Sequence, residues 1–185
     1  LGDIEKKDGR LIASAEYRVK KFMIRHKNLF IQDGLNEKNL REINNKLPDA
    51  KRFMCISHKE DGCENIIISL LMKRGTYDDV IVINGYKLVE IMLSKDAHYQ
   101  CLSEVKANLV IIYITGKECT NKSLQEVVNQ VISNQYMDGK ECYLIYKGSD
   151  LKSKYPQVYD NFKGIHAEIV NIDNSKVNCE EEIAR

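Results

Sequence analysis

Residues 109–114, Leu-Val-Ile-Ile-Tyr-Ile, constrain this chain more than any other stretch, because they form an apolar run that then enters Thr115-Gly116-Lys117-Glu118. A strand without polar alternation is buried on both faces, and that burial requires helices above and below its sheet. The sequence that follows fits this requirement. Residues Ser123 to Tyr136 place apolar groups at helical spacing, and Lys140 to Tyr146 is another apolar strand. Strand, helix and strand in succession read as a parallel unit.

The same alternation extends on both sides. Arg52–Ile56 reads as a strand, His58 to Glu64 as a polar loop with one glycine, and Asn65–Arg74 as a helix. Asp79–Asn84 is a strand and Tyr86–Leu93 a helix; Leu102–Lys106 leads into the strand at 109. After Cys142–Tyr146 come a helix at Tyr155–Phe162 and a last strand at Ala167–Ile172. Upstream, residues 1–10 are polar and expected to fray, and residues 11–25 carry Leu11, Ile12, Ala15, Val19, Phe22 and Met23 at helical spacing. Leu29-Phe30-Ile31 reads as a short strand, and Asn36 as the cap of a helix from Glu37 to Leu47 that stops before Pro48. The expected division is an N-terminal helical extension over 1–48, an α/β domain over 49–175 and an acidic tail over 176–185.

Composition narrows the function classes. With 185 residues and 43% hydrophobic content, the chain can bury one ordinary core. A net charge of +1 points to neither nucleic acid nor membrane as the global partner. No apolar run reaches the roughly 18–20 residues that span a bilayer, and no signal peptide opens the chain. The first residue is Leu1 rather than Met, so residues before it are expected. Six cysteines, at 55, 63, 101, 119, 142 and 179, form no CxxC pair, and His26, His58, His98 and His166 are scattered. A zinc site and a disulfide framework are not expected; reduced cysteines in a cytoplasmic setting are. Cys55, Cys119 and Cys142 lie in or beside apolar strands and read as small hydrophobes.

The order strand, Gly loop, helix, strand, helix, strand, Gly turn, helix, strand is that of a P-loop NTPase. Around the third core strand the chain resembles the AAA+ bacterial helicase loaders. In that family two Asp on this strand precede Leu-Gly-x-Glu, a helix ends in a pattern like Ile-Ile-Asn-x-Arg-Tyr, and Gly-Lys-Pro-Thr leads into the next strand. Gly116, Glu118, Tyr136, Gly139 and Lys140 keep that frame, and the resemblance spans roughly residues 50–173. It implies a three-layer α/β/α P-loop, AAA+-like domain with a central parallel sheet, preceded by the helical extension.

The resemblance also implies a consistent loss of chemistry. The phosphate loop, G-x-x-x-x-G-K-[ST], falls on Ser57-His58-Lys59-Glu60-Asp61-Gly62-Cys63-Glu64 and keeps only Gly62. Cys63 and Glu64 replace the phosphate-contacting Lys and the Mg²⁺-holding hydroxyl. Glu60, Asp61 and Glu64 repel a triphosphate, and Lys59 supplies a cation in a different register. Tyr113 and Ile114 stand where two acids would hold the metal and orient water. The polar sensor position falls near Lys147, and the arginine finger on Asp160-Asn161. The implied protein is a pseudo-ATPase with no cofactor and no catalytic residue. It acts as a protein-interaction module in DNA replication or its control, with a helicase, a loader or a larger assembly as partner.

Several features remain beside this reading. His58, Lys59, Tyr113, Lys147 and Asn161 are the candidate docking residues on the former nucleotide side. Arg18, Lys20, Lys21, Arg25 and Lys27, interleaved with Tyr17 and Phe22, are the candidate nucleic-acid contact. A rival enzyme on an unrelated doubly wound sheet would draw on Ser57, His58, Cys63, Tyr113 and Lys147, and His58 approaches Cys63 only if the fold brings them together. Asp78-Asp79 and Glu180-Glu181-Glu182 read as solvated charge, and His98 and Tyr99 as a surface loop.

Overall fold

The computed structural model describes residues 4–7, 10–13, 37–59, 63–74, 79–94, 102–115 and 122–173. Strands β1 (Ile4–Lys7) and β2 (Arg10–Ala13) pair antiparallel, with Lys7 opposite Arg10. The helical spacing that begins at Leu11 therefore does not begin as a helix, and residues 4–7 do not simply fray. Asp8-Gly9 separates the two strands in the sequence, a dipeptide that favours a two-residue hairpin connection. The remainder of the helix expected over 11–25, the basic residues from Arg18 to Lys27 and the short strand expected at 29–31 lie outside the described residues.

Helix α1 (Glu37–Lys46) follows, as its Asn36 start and Pro48 stop predict. Five parallel strands come next: β3 (Phe53–His58), β4 (Val80–Asn84), β5 (Leu109–Ile114), β6 (Glu141–Lys147) and β7 (Glu168–Asn171). Between them run α2 (Cys63–Arg74), α3 (Gly85–Leu93), α4 (Lys122–Met137), the short α5 (Leu151–Lys154) and α6 (Pro156–Gly164). Their order across the sheet is β4-β5-β6-β3-β7. The chain is thus an α/β protein on a five-stranded parallel sheet. Its order matches neither the dinucleotide-binding order nor the flavodoxin-like one.

Alternate residues of each strand point to opposite faces of the sheet. On one face Val110, Ile112 and Ile114 of β5 join Leu88 and Ile91 of α3, Leu124 and Val128 of α4, and Val158 and Phe162 of α6. On the other face Leu109 and Ile111 join Ile66, Ile67 and Leu70 of α2 and Ile43 of α1. Helix α2 is apolar nearly all round because it lies between the sheet and α1. The Lys73 ammonium on α2 donates to the Leu47 carbonyl, 2.7 Å away, and so satisfies backbone at the end of α1. β3 and β5 are buried almost throughout, whereas the edge strands β4 and β7 are half-buried.

Side-chain amides fix the strand ends. The buried Gln135 on α4 donates through Nε2 to the carbonyls of Ala107 (2.7 Å) and Glu141 (2.8 Å), so one side chain ties the entries of β5 and β6. The Asn84 side chain accepts from the Tyr86 N–H (2.8 Å) as the cap of α3. At the start of α5, Asp150 accepts from the Ser153 N–H (3.1 Å). Hydrogen bonding to Ser153 holds the Asp150 carboxyl below the ordinary range.

Candidate site at the carboxyl ends of β3, β6 and β5

In a parallel sheet the ligand crevice lies beyond the carboxyl ends of the strands, where connections diverge. Here β3 sits between β6 and β7, yet its helix α2 leads to β4 at the far edge. That divergence falls at the carboxyl end of β3, next to β6, with β5 one strand further on. His58 pairs in register with Lys147, Tyr113 with Ile145, and Ile114 with Tyr146. Three strand ends therefore present Ser57, His58, Lys147, Tyr113 and Ile114 along one rim.

The loop expected from His58 to Glu64 is shorter than the sequence suggests. Ser57 and His58 belong to β3 and are buried, because parallel pairing with β6 continues to the end of both strands. Cys63 is the first residue of α2, with Glu64 in the first turn. Residues 60–62, including Gly62, lie outside the described residues. The Lys59 N–H donates to Asp173 Oδ2 at 2.8 Å, and the Ile172 N–H donates to the Ser57 carbonyl at 3.1 Å. A carboxylate of the chain itself thus occupies a loop amide that could otherwise face an anion.

The structure brings two scattered residues together. Cys63 Sγ stands 3.4 Å from His58 Nε2, with both residues buried. The backbone carbonyl of His58 accepts from the Gly148 N–H at 2.8 Å, which anchors the imidazole-bearing residue to the turn after β6. Cys55 and Cys142 are also fully buried, but in the core. Burial pushes the Cys55 thiol up to about 12; burial and then the neighbouring Cys55 push Cys142 further up. Among the described residues no cluster of three or more His, Cys, Asp or Glu could hold a metal ion.

At the end of β5 the two expected positions differ. Tyr113 is half-buried, and its carbonyl accepts from Asn84 Nδ2 at 3.5 Å. Ile114 is fully buried. A Cβ on Gly85 would stand 3.2 Å from Ile114 Cγ1 and 3.0 Å from Leu124 Cδ1. The absence of a side chain at Gly85 is what lets α3 close over Ile114.

The candidate docking set is not one surface. Lys59 and Lys147 are exposed on the rim, and Tyr113 partly so, but His58 is wholly buried and offers no contact surface. Asn161 is not with them: its Nδ2 donates to Asn129 Oδ1 on α4 at 3.1 Å, within the α4–α6 contact. The chain from Asn161 runs on to Ile165 and His166, which line a cavity with Lys51 and Arg52 just before β3. Arg18, Lys20, Lys21, Arg25 and Lys27 lie outside the described residues.

No protein-family model matches the chain, and no curated protein matches it. Among solved structures it is similar to the crystal structure of the DnaC helicase loader, with a TM-score of 0.47 and 13% identity. That superposition covers 77% of this chain and 94% of the other. At that level the likeness does not assign a family or an activity. Among the described residues no helix is long and apolar enough to cross a membrane.

Proposed function

We propose that this chain is a non-catalytic, three-layer P-loop-type module that binds a protein partner. The observation that carries the reading is Ile114, sealed into the core beneath Gly85 and Leu124 at the position where an active ATPase needs an acid. A carboxylate there would be cut off from metal and water, so the loss is built into the hydrophobic core. The phosphate-loop strand supports the same reading. Cys63 stands at the position of the phosphate-contacting Lys, with its thiol against His58. The Lys59 amide is already satisfied by Asp173.

The sequence resemblance to helicase loaders supplies the setting, DNA replication or its control. The partner on this reading is a helicase, another loader or a larger assembly. Lys59 and Lys147 are the exposed cations on the rim and the first residues to test as docking contacts. Reversing both charges should abolish partner capture from the native host without changing the melting temperature. Reversing Lys20 and Lys21 serves as the comparison; loss of capture there alone would move the contact to the basic segment.

The decisive experiment for the missing chemistry is a titration of the protein with ATP and Mg²⁺, followed by thermal unfolding. A ligand at 100 times its Kd adds about 2.7 kcal/mol. For a chain of this size that is a rise of about 5–10 °C. The expected shift is nil and the expected phosphate release is nil; a rise of several degrees refutes the proposal.

A further inference from the structure

The docking proposal leaves the Cys63–His58 pair without a role, and the pair carries an inference of its own. We propose that Cys63 is an imidazole-activated thiol and a modification site for a small neutral peroxide, hydrogen peroxide or an alkyl hydroperoxide.

The geometry is that of a nucleophile beside its base. Cys63 Sγ lies 3.4 Å from His58 Nε2, within hydrogen-bonding reach for sulfur. The two groups come from different elements and are held independently. His58 is fixed by strand pairing to Lys147 and by the Gly148 N–H on its carbonyl. Cys63 is fixed as the first residue of the twelve-residue α2. The amino end of that helix carries partial positive charge, which favours a thiolate over a thiol. The three cysteines of the described core also differ in access. Cys55 and Cys142 are 0% exposed, with burial opposing their ionisation; Cys63 keeps 7% exposure and faces an imidazole.

The surrounding charges select the reagent. Lys147 flanks His58 on β6, Lys59 follows it, Glu64 lies in the first turn of α2, and Asp173 reaches the Lys59 amide. These two cations and two acids balance, so the surroundings offer no net charge to draw in a charged oxidant. Low exposure excludes bulky reagents, which leaves small uncharged peroxides.

In the reaction the imidazole takes the thiol proton, and the thiolate attacks one peroxide oxygen. The S–O bond forms as the O–O bond breaks. The leaving hydroxide takes the proton from the imidazolium and departs as water, or the alkoxide as an alcohol. Sulfur is oxidised from thiol to sulfenic acid, and the peroxide is the electron acceptor. The inference stands whether or not the chain binds ATP.

The test uses the full chain with Cys101, Cys119 and Cys179 changed to Ser, leaving Cys55, Cys63 and Cys142. After a pulse of hydrogen peroxide and removal of the excess, the chain is unfolded in urea with dimedone present to trap sulfenic acid, and peptide mass spectrometry locates it. The expected label is on Cys63, with Cys55 and Cys142 unlabelled. His58→Gln should slow labelling at neutral pH at least tenfold. Because that variant can also disturb packing, iodoacetamide alkylation of Cys63 in the protein with His58 intact provides a second measurement. Its rate should stay nearly flat between about pH 6 and 8, whereas an ordinary thiol slows about tenfold for each unit below about 8.5. Labelling of Cys63 no faster than Cys55, or an ordinary-thiol pH profile, overturns the proposal.

Discussion

Replacing Ile114 with Asp places an acid at the end of β5 and tests whether that position belongs to the core or to a site. The side chain is fully buried and packed beneath Gly85 and Leu124. Removing a buried Ile forfeits about 1.5–3 kcal/mol of burial. Leaving even a neutral carboxyl without a partner costs about 1–3 kcal/mol more. The total, about 2.5–6 kcal/mol, is a large share of the roughly 5–15 kcal/mol that holds a domain together. The sign of the pH dependence follows from the same burial. The introduced carboxyl has a folded-state pKa above its unfolded value near 3.9, so the folded state binds more protons. Stability should fall as pH rises from about 4 toward the folded pKa, by about 1.4 kcal/mol per unit. Urea denaturation by circular dichroism at pH 4.5 and pH 7.5 measures both effects. Tyr113→Asp, at a half-buried rim position, should lose far less and show little added slope. An Ile114→Asp protein within about 1 kcal/mol of the parent at neutral pH, with the same pH slope, would falsify this account of a core-filled acid position.

Three further outcomes follow from particular contacts. Gln135→Leu removes both donors from the Ala107 and Glu141 carbonyls, and should cost about 2–5 kcal/mol in urea titration at unchanged m-value. Gly148→Ala brings a Cβ within 2.5 Å of the Tyr146 ring. That ring is buried edge-on to Tyr155 at 5.5 Å, so the variant should lose about 1–3 kcal/mol and alter the near-ultraviolet tyrosine signal. Cys55 and Cys142 bind protons more tightly folded than unfolded. Stability should therefore fall above about pH 9 by on the order of 1 kcal/mol per unit for each thiol, and Cys55→Ala should flatten that slope relative to the parent.

The alternating order of strands and helices was legible in the sequence because burial on two faces leaves a local mark. Apolar runs without polar alternation at 53–56, 109–114 and 142–146 became the interior strands, and α4 lies within two residues of its helical pattern. The pairing of β1 with β2 was not legible: residues 1–10 were expected to fray, and the apolar spacing from Leu11 pointed to a helix where Leu11–Ala13 is strand. Four apolar residues at 80–83 look as buried as those of β5 in composition, yet β4 stands at the sheet edge and is half-exposed. Strand composition records how apolar a residue's surroundings are, whereas strand order depends on crossovers that span the whole chain.

The site divides in the same way. Sequence alone determined the residue types, Tyr113, Ile114, Cys63 and Glu64, that stand at the positions the resemblance singles out. Only the tertiary structure decided that Ile114 is core, that His58 ends a strand rather than opening a loop, and that Asn161 lies apart from Lys59 and Lys147. It also decided that Asp173, 114 residues from Lys59, caps the loop amide, and that Cys63 meets His58. Such distances are set when parallel strands align their carboxyl ends, an arrangement that long-range pairing produces and that local spacing along the chain does not encode.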